Sequence, residues 1–494
     1  MLATTVAEAG SRYGDRIAVR TSAGDHLTYS GLDRASDEAA VGLAALGITR
    51  GSLVLLSLPS GLDYLVAYVA AAKLGASTGG INPRLSPSER CDLASAVAPD
   101  LVLAGSELAD GLPGDLRVEL VEPGTGSPLC ELRSTDSAPP PVTPDPEEPV
   151  CLCFTSGSTG QPRAAWFGGR QLLAAAELDT GGAWGGGHLI AGTAMAHVGF
   201  MTKLPWQLAA GATIHVMDRW SAGEVLDLVD THRMPAVNGV AAQVALMLRH
   251  PDFDLHDFSC VQAIVVGAGT SPPDLVREAR ERFGAPYSNR YSSTESGGAG
   301  LATALDADDE EALHTVGRPR PGIAAEVRDP ECRPVPKGEL GELWLRTPTA
   351  MSGYWRDPQR TADVLVDGWL RTGDLARVDD RGCFRLSGRT GEMFIRGGYN
   401  VHPQEVEAVI GTHPAVAQIV VVPRADDVMG EVGVAVVVPT DPSDPPTLEG
   451  LRTHGAGQLA RFKLPEALRL VAELPLNSGD KVDRRRLTAD EEGG

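Results

Sequence analysis

The segment Phe154-Thr155-Ser156-Gly157-Ser158-Thr159-Gly160-Gln161-Pro162-Arg163 follows an apolar run, Val150 to Cys153, that has the pattern of a buried strand. Its small residues let successive backbone N–H groups converge on an anion. Its hydroxyls add donors that move with the ligand, so strand plus loop reads as a phosphate site. No Gly-Lys-Ser/Thr follows at P-loop spacing, and the glycines lack the dinucleotide-binding spacing. A second constellation lies in Asn289-Arg290-Tyr291-Ser292-Ser293-Thr294-Glu295. Here a ring, a hydroxyl and a carboxylate can surround one nucleotide, and a carboxylate is the type of oxygen donor that a hard cation takes. In Gly368-Trp369-Leu370-Arg371-Thr372-Gly373-Asp374, an Asp after a Thr-Gly turn suits a bidentate grip on two ribose hydroxyls. Near the end, Leu474-Pro475-Leu476-Asn477-Ser478-Gly479-Asp480-Lys481-Val482-Asp483-Arg484 carries one lysine. A mobile ammonium can follow a phosphate through in-line displacement better than a rigid guanidinium can.

Taken singly, each segment also fits a polar turn, a strand end or a solvated charge cluster. Their fixed order along one chain is what argues for a common site. Lysine is scarce here: of 43 basic residues, only Lys73, Lys203, Lys337, Lys463 and Lys481 are lysines. Any lysine kept in so Arg-rich a chain is therefore expected to serve a purpose that Arg cannot.

Short β-branched runs alternate with amphipathic stretches and must position these loops. Leu53 to Leu58, Leu101 to Ala104, Val150 to Phe154, Thr213 to Met217 and Ala263 to Val266 read as strands; Leu62 to Leu74, Ala222 to Thr231 and Pro273 to Phe283 read as helices. Such alternation implies an α/β protein with mostly parallel sheets covered on both faces. A chain of 494 residues is too long for one core and fits a large N-terminal domain plus a smaller one. Pro139 to Pro146 is a stiff surface connection, and the glycines at 181, 182, 185, 186 and 187 mark a loose loop.

The formal net charge of −22 argues against nucleic acid as a partner, because phosphate backbones demand a basic footprint. Anionic substrates would need local positive charge to offset that field. Seven cysteines without paired spacing beyond Cys151-x-Cys153 suggest reduced thiols rather than a disulfide or zinc framework. The first 20 residues mix charge into apolar sequence unlike a signal peptide, and the apolar run Leu65 to Ala72 is far too short to span a bilayer, so a cytoplasmic protein is expected.

These four segments and a fifth, Ser387-Gly388-Arg389-Thr390-Gly391-Glu392-Met393-Phe394-Ile395-Arg396-Gly397-Gly398-Tyr399-Asn400-Val401, together resemble the acyl-adenylate-forming superfamily, which includes acyl-CoA synthetases, peptide-synthetase adenylation domains and luciferases; acyl-CoA ligases are the nearest in pattern. The resemblance implies a large N-terminal AMP-binding domain, residues 1–390, of stacked mostly parallel sheets, and a small mobile α/β lid, residues 391–494. It implies ATP, Mg²⁺ and CoA or a carrier-protein phosphopantetheine as cofactors. Thr155, Ser156, Gly157, Ser158, Thr159, Gly160 and Arg163 would hold phosphate; Gly267-Ala268-Gly269 would be the glycine turn against adenine. Tyr291 would stack on the base beside Ser292, Thr294 would contact the α-phosphate, and Glu295 would hold Mg²⁺. Asp374 would grip the ribose and Arg389 the ribose or phosphate. Lys481 would bridge carboxylate and α-phosphate. Gly397 to Asn400 would line the thiol channel.

Three positions depart from the pattern: Arg163 stands where Lys is usual, Gly391 where the hinge carries Asp or Lys, and Asp480 is inserted before Lys481. His197, in Ala196-His197-Val198-Gly199-Phe200, would lie near the reacting carboxyl. With it, Val198, Asn238, Gly239, Val266, Ser293 and Gly298 are the expected pocket. Its walls, drawn from Ala236, Val237, Gly239, Val240, Ala263, Val265 and Val266, would be apolar and suit an aryl, fatty or polycyclic acid. No Asp occurs in Met195 to Lys203 to pair with an ammonium, which speaks against amino acids.

The expected activity is ATP-dependent formation of acyl-AMP and transfer to the CoA thiol. The alternatives are a stand-alone enzyme that loads a carrier protein, a relative that activates another oxyanion such as nitrite for attack by an amine, and, last, a non-catalytic adenylate-binding protein. The oligomeric state is left open, a homodimer included.

Overall fold

The computed structural model describes residues 1–122, 129, 132–135, 137–155, 163–180, 186–267, 271–390, 393–396, 399–426, 429–456, 458–477 and 481–492. Ser156 to Pro162, the glycines at 181, 182 and 185, Ala268, Gly269, Gly391, Gly397, Gly398 and Asp480 therefore lie outside the described residues. The chain forms two compact units, Met1–Ala325 with Leu345–Arg371, and Glu326–Trp344 with Thr372–Gly494. By contacts, 326–344 and 372–390 group with the C-terminal segment.

The first unit is built on three sheets. Its seven-stranded sheet runs Gly353–Tyr354, Arg163–Gly168, Pro149–Thr155, Ser77–Gly80, Leu53–Ser57, Leu101–Gly105, Val118–Val121. Every residue of Leu53–Ser57 and Leu101–Gly105 is buried, the continuous burial of parallel strands covered on both faces. One cover is Leu62–Lys73, buried without a break from Tyr64 to Ala71 and tied down by Tyr68 Oη donating to Met201 O at 2.9 Å. Pro149–Thr155 and Arg163–Gly168 pair antiparallel, Thr155 opposite Arg163. The short loop between them cannot make the dozen-residue crossover that a parallel pair needs.

A second sheet opens with the parallel strands Ala236–Val240, Ala263–Gly267 and Tyr287–Tyr291, then turns antiparallel at Leu301–Ala302 and Arg318–Pro319. The third orders His26–Thr28, Ile17–Thr21, Thr213–Val216 and His188–Ala191. Beside its last two strands, burial first and then neighbouring positive charge lower the pKa of His188, His215 and His232, that of His215 to about 4.

The second unit contains its own sheet of Phe394–Arg396, Tyr399–Val401, Gly430–Pro439, Val416–Asp426 and Ala467–Leu470. The helices Pro403–Ile410 and Leu448–Gly455 contribute Val406, Ile410 and Leu451 to its core. The final helix, Arg484–Glu492, is anchored at its first residue: Arg484 donates to Glu407 Oε2 at 2.6 Å and to Val421 O at 3.1 Å.

The strands and helices expected from patterning are all present, with ends moved by a residue or so. The six described cysteines are free thiols. No helix among the described residues is long and apolar enough to cross a membrane.

Candidate active site

In the first unit, the antiparallel hairpin sets Thr155 and Arg163, the two ends of the expected phosphate loop, side by side. The Arg163 guanidinium lies 5.5 Å from the centroid of the Tyr354 ring, a cation–π arrangement. Tyr354, buried on an adjacent strand, donates from Oη to Glu295 Oε1 at 3.0 Å. Burial first, then the charge of Glu295, raises the Tyr354 phenol above its ordinary range, so it stays a proton donor. Arg163, Tyr354 and Glu295 thus form one cluster at the root of the loop.

Glu295 is mounted on a tight turn. Gly297 N donates to Thr294 O at 2.9 Å and Gly298 N to Ser293 O at 3.1 Å, with both glycines at positive φ, 69° and 72°. Ser293 and Ser296 exchange side-chain and backbone hydrogen bonds. Met351 N holds Glu295 O at 2.8 Å. Tyr291 ends its strand opposite Leu301; Gly300 is required beside it, because a Cβ there would fall 2.4 Å from Tyr291 O. Tyr291, Ser292, Ser293, Thr294 and Glu295 are all half-buried, so they are reachable by a ligand. Gly267 lies opposite Arg290 on the neighbouring strand.

His197 caps the short helix Val198–Met201, and its Nε2 lies 3.0 Å from Asn82 Nδ2. A Cβ on Gly298 would lie 3.6 Å from Lys203 Cε and 3.8 Å from Val198 Cγ1, so the Glu295 turn faces the His197 segment. His197, Val198, Ser293 and Gly298 are therefore brought together. The expected wall needs correction. Val237 and Val266, each 1% exposed, pack into the core cluster with Ile264. Gly239 alternates onto the same face, its space filled by Gln243 Oε1. Strand period leaves Asn238, Val240 and Val265 on the opposite face, with Asn238 exposed.

In the second unit, Asp374 and Arg389 sit opposite each other on adjacent antiparallel strands, with Arg389 Nε donating to Asp374 Oδ1 at 2.6 Å. Thr372 Oγ1 accepts from Asp374 N, and Gly373 takes φ 72° to make the turn. Lys481 is exposed; its backbone N donates to Asn477 Oδ1 and its O accepts from Asn477 N. It lies three residues before the anchored Arg484.

Residues 6–355 match the AMP-binding enzyme family, and residues 405–481 match the AMP-binding enzyme C-terminal domain. The chain belongs to the AMP-binding enzyme family. An indoleacetate–CoA ligase of Aromatoleum aromaticum (strain DSM 19018 / LMG 30748 / EbN1) is 32% identical to this AMP-binding enzyme over 94% of this chain and 93% of its own. The fatty acid–[acyl-carrier-protein] ligase ScoC of Streptomyces coeruleorubidus is 30% identical over 94% of this chain and 91% of its own. The solved structure of the amide bond synthetase McbA from Marinactinospora thermotolerans superposes with a TM-score of 0.86 at 27% identity, covering 99% of each chain.

Sequence reasoning assigned no role to Tyr354 and overlooked Asn82. The Asn82-Pro83 pair, one residue beyond Ser77–Gly80, was a turn signal at a strand's C-terminal end. It also missed Asp179, which accepts from Lys203 Nζ at 2.7 Å and Arg320 Nη2 at 2.8 Å behind the Gly298 turn. Burial would raise the pKa of Asp179, but Lys203 and Arg320 outweigh it and the net shift is downward.

Proposed function

We propose that this AMP-binding enzyme is an acid–thiol ligase that activates an apolar carboxylic acid as acyl-AMP at the expense of ATP and passes the acyl group to the thiol of CoA. The observation that carries the reading is the Glu295 carboxylate, held by Tyr354 beside Arg163 at the root of the phosphate-loop hairpin. Tyr354 occupies Oε1 and leaves Oε2 without a partner among the described residues, a hard oxygen donor of the kind Mg²⁺ takes. Bound Mg²⁺ would neutralise charge on the triphosphate.

In the first half-reaction, a substrate carboxylate oxygen attacks the α-phosphorus of ATP and pyrophosphate leaves. Arg163 and the 155–160 loop are assigned to the phosphates, Thr294 to the α-phosphate, and Lys481 to the oxygens between carboxylate and phosphorus. Tyr291 is assigned to adenine and Asp374 to the ribose hydroxyls. Arg389 neutralises Asp374 and sets its orientation. Asn82 fixes the ring of His197 near the reacting carboxyl. In the second half-reaction, the thiol loses its proton, its sulfur attacks the acyl carbon, and AMP leaves. We assign the change of pose to rotation of 391–494 against 1–390.

The acceptor is the point on which the three relatives named above differ, and loading of a carrier protein is the second reading, favoured by the match to ScoC over 94% of this chain. Acid-dependent ATP–pyrophosphate exchange over aryl, fatty and polycyclic acids, with nitrite as a further well, tests the first half-reaction. The best acid is then offered CoA, a phosphopantetheinylated carrier protein or an amine. Acyl-CoA as the dominant product is expected. Dominant acyl-carrier or amide product overturns the acceptor, and no exchange with any acid overturns the reading.

A further inference from the structure

We propose that His188, His215 and His232 form a binding site for a transition-metal dication of the zinc type, built into the first unit and independent of adenylation. One ligand nitrogen from each of the three rings lies within 4.8 Å of the others. His188 Nδ1 and His215 Nε2 are 2.8 Å apart, and the His188 and His232 rings stack at 3.9 Å. Tetrahedral zinc with nitrogen ligands at about 2.0–2.1 Å needs nitrogens about 3.3 Å apart, between the 2.8 Å of the His188–His215 pair and the 4.8 Å that bounds the three.

The backbone explains why these rings converge. Thr213 pairs with His188 and His215 with Ile190, so the two histidines are diagonal neighbours on one face of adjacent parallel strands. His232 comes from the C-cap of the helix Ala222–Thr231, where the partial negative charge of the last carbonyls favours a cation. Arg16 and Arg20 carry positive charge nearby. They disfavour an ion held by charge alone and leave the site to metals that seek imidazole, such as Zn²⁺, Co²⁺, Ni²⁺ or Cu²⁺. Three protein ligands leave a fourth position for water.

The ion would pin an edge strand. His188–Ala191 is last in its sheet and runs directly into the segment 192–197. There Gln243 Nε2 donates to Gly192 O at 2.9 Å and Ser60 Oγ accepts from Met195 N at 3.1 Å before the chain reaches His197. A metal at His188 would thus fix the far end of the strand that leads to the candidate acyl pocket.

The test uses the full chain, stripped with EDTA, desalted and titrated with Co²⁺ and then Zn²⁺. One Co²⁺ per chain with visible d–d absorption, displaced by Zn²⁺, is expected, together with a Zn²⁺-dependent rise in Tm. His215 is almost wholly buried, so the variants are placed at the half-buried positions. His188→Gln and His232→Gln should each weaken binding at least tenfold while keeping the metal-free Tm. His413→Gln, at the separate His413/His454 ring pair, should leave binding unchanged. Absence of Co²⁺ binding, or binding unaffected by both His188→Gln and His232→Gln, which marks an adventitious ion only, overturns the proposal.

Discussion

Tyr354 holds the Glu295 carboxylate through a single hydroxyl, and the geometry gives that hydroxyl a measurable value. A hydrogen bond to a charged group is worth about 1.5–3 kcal/mol. Tyr354→Phe is therefore expected to lower kcat/KM for pyrophosphate exchange about tenfold and to raise the Mg²⁺ concentration needed, with KM for the thiol acceptor unchanged. A magnesium titration that superposes on wild type would remove Tyr354 from the site. The scarce lysines gain a different meaning from the one their rarity suggested. Lys73 pairs with Asp33 and Asp37, Lys463 with Glu405, and Lys203 with Asp179, so at least three of the five serve ion pairs. Asp179 is 14% exposed and neutralises both Lys203 and Arg320. Asp179→Asn should leave two half-buried cations uncompensated and cost about 3 kcal/mol of stability in urea unfolding.

At the scale of elements, the turn after Tyr287–Tyr291 does more positioning than any strand in the site. Gly297 takes φ 69°, and a Cβ there would lie 2.2 Å from Thr349 O, a backbone atom that cannot swing away. Gly297→Ala is expected to combine left-handed strain of about 1–2 kcal/mol with a steric clash. It should lower the urea midpoint and, by displacing Glu295, raise the Mg²⁺ requirement; an unchanged midpoint would mean the turn can relax freely. Such a turn was legible as a Gly-rich stretch at 297–298, but the backbone it packs against was not, because Thr349 is 52 residues away in sequence. The wall of the expected pocket failed for a related reason. Ala263–Gly267 is apolar on both faces and Ala236–Val240 carries a single polar residue, Asn238, too little for period two to tell which side faces a ligand and which the core.

For the molecule as a whole, the proposal that the half-reactions use different poses of the C-terminal domain is tested at Lys481. Lys481→Ala should abolish acyl-AMP formation from acid and ATP yet leave thioester formation from supplied acyl-AMP largely intact. Equal loss in both assays would sink the rotation. The helix that follows is fixed at its first residue through Arg484, Glu407 and Val421, three residues after Lys481.

The sequence by itself determined the family, the α/β alternation, the elements and the order of the motif loops, because these follow from short-range periodicity and from residue types needed within a few positions of each other. Only the tertiary structure decided that Glu295 meets Tyr354 from 59 residues away and His197 meets Asn82 from 115. It alone also decided that Val266 turns into the core and that three histidines from two strands and a helix end converge. Contacts at such separations depend on how the whole chain closes, on register, layer order and twist, and no local preference encodes them.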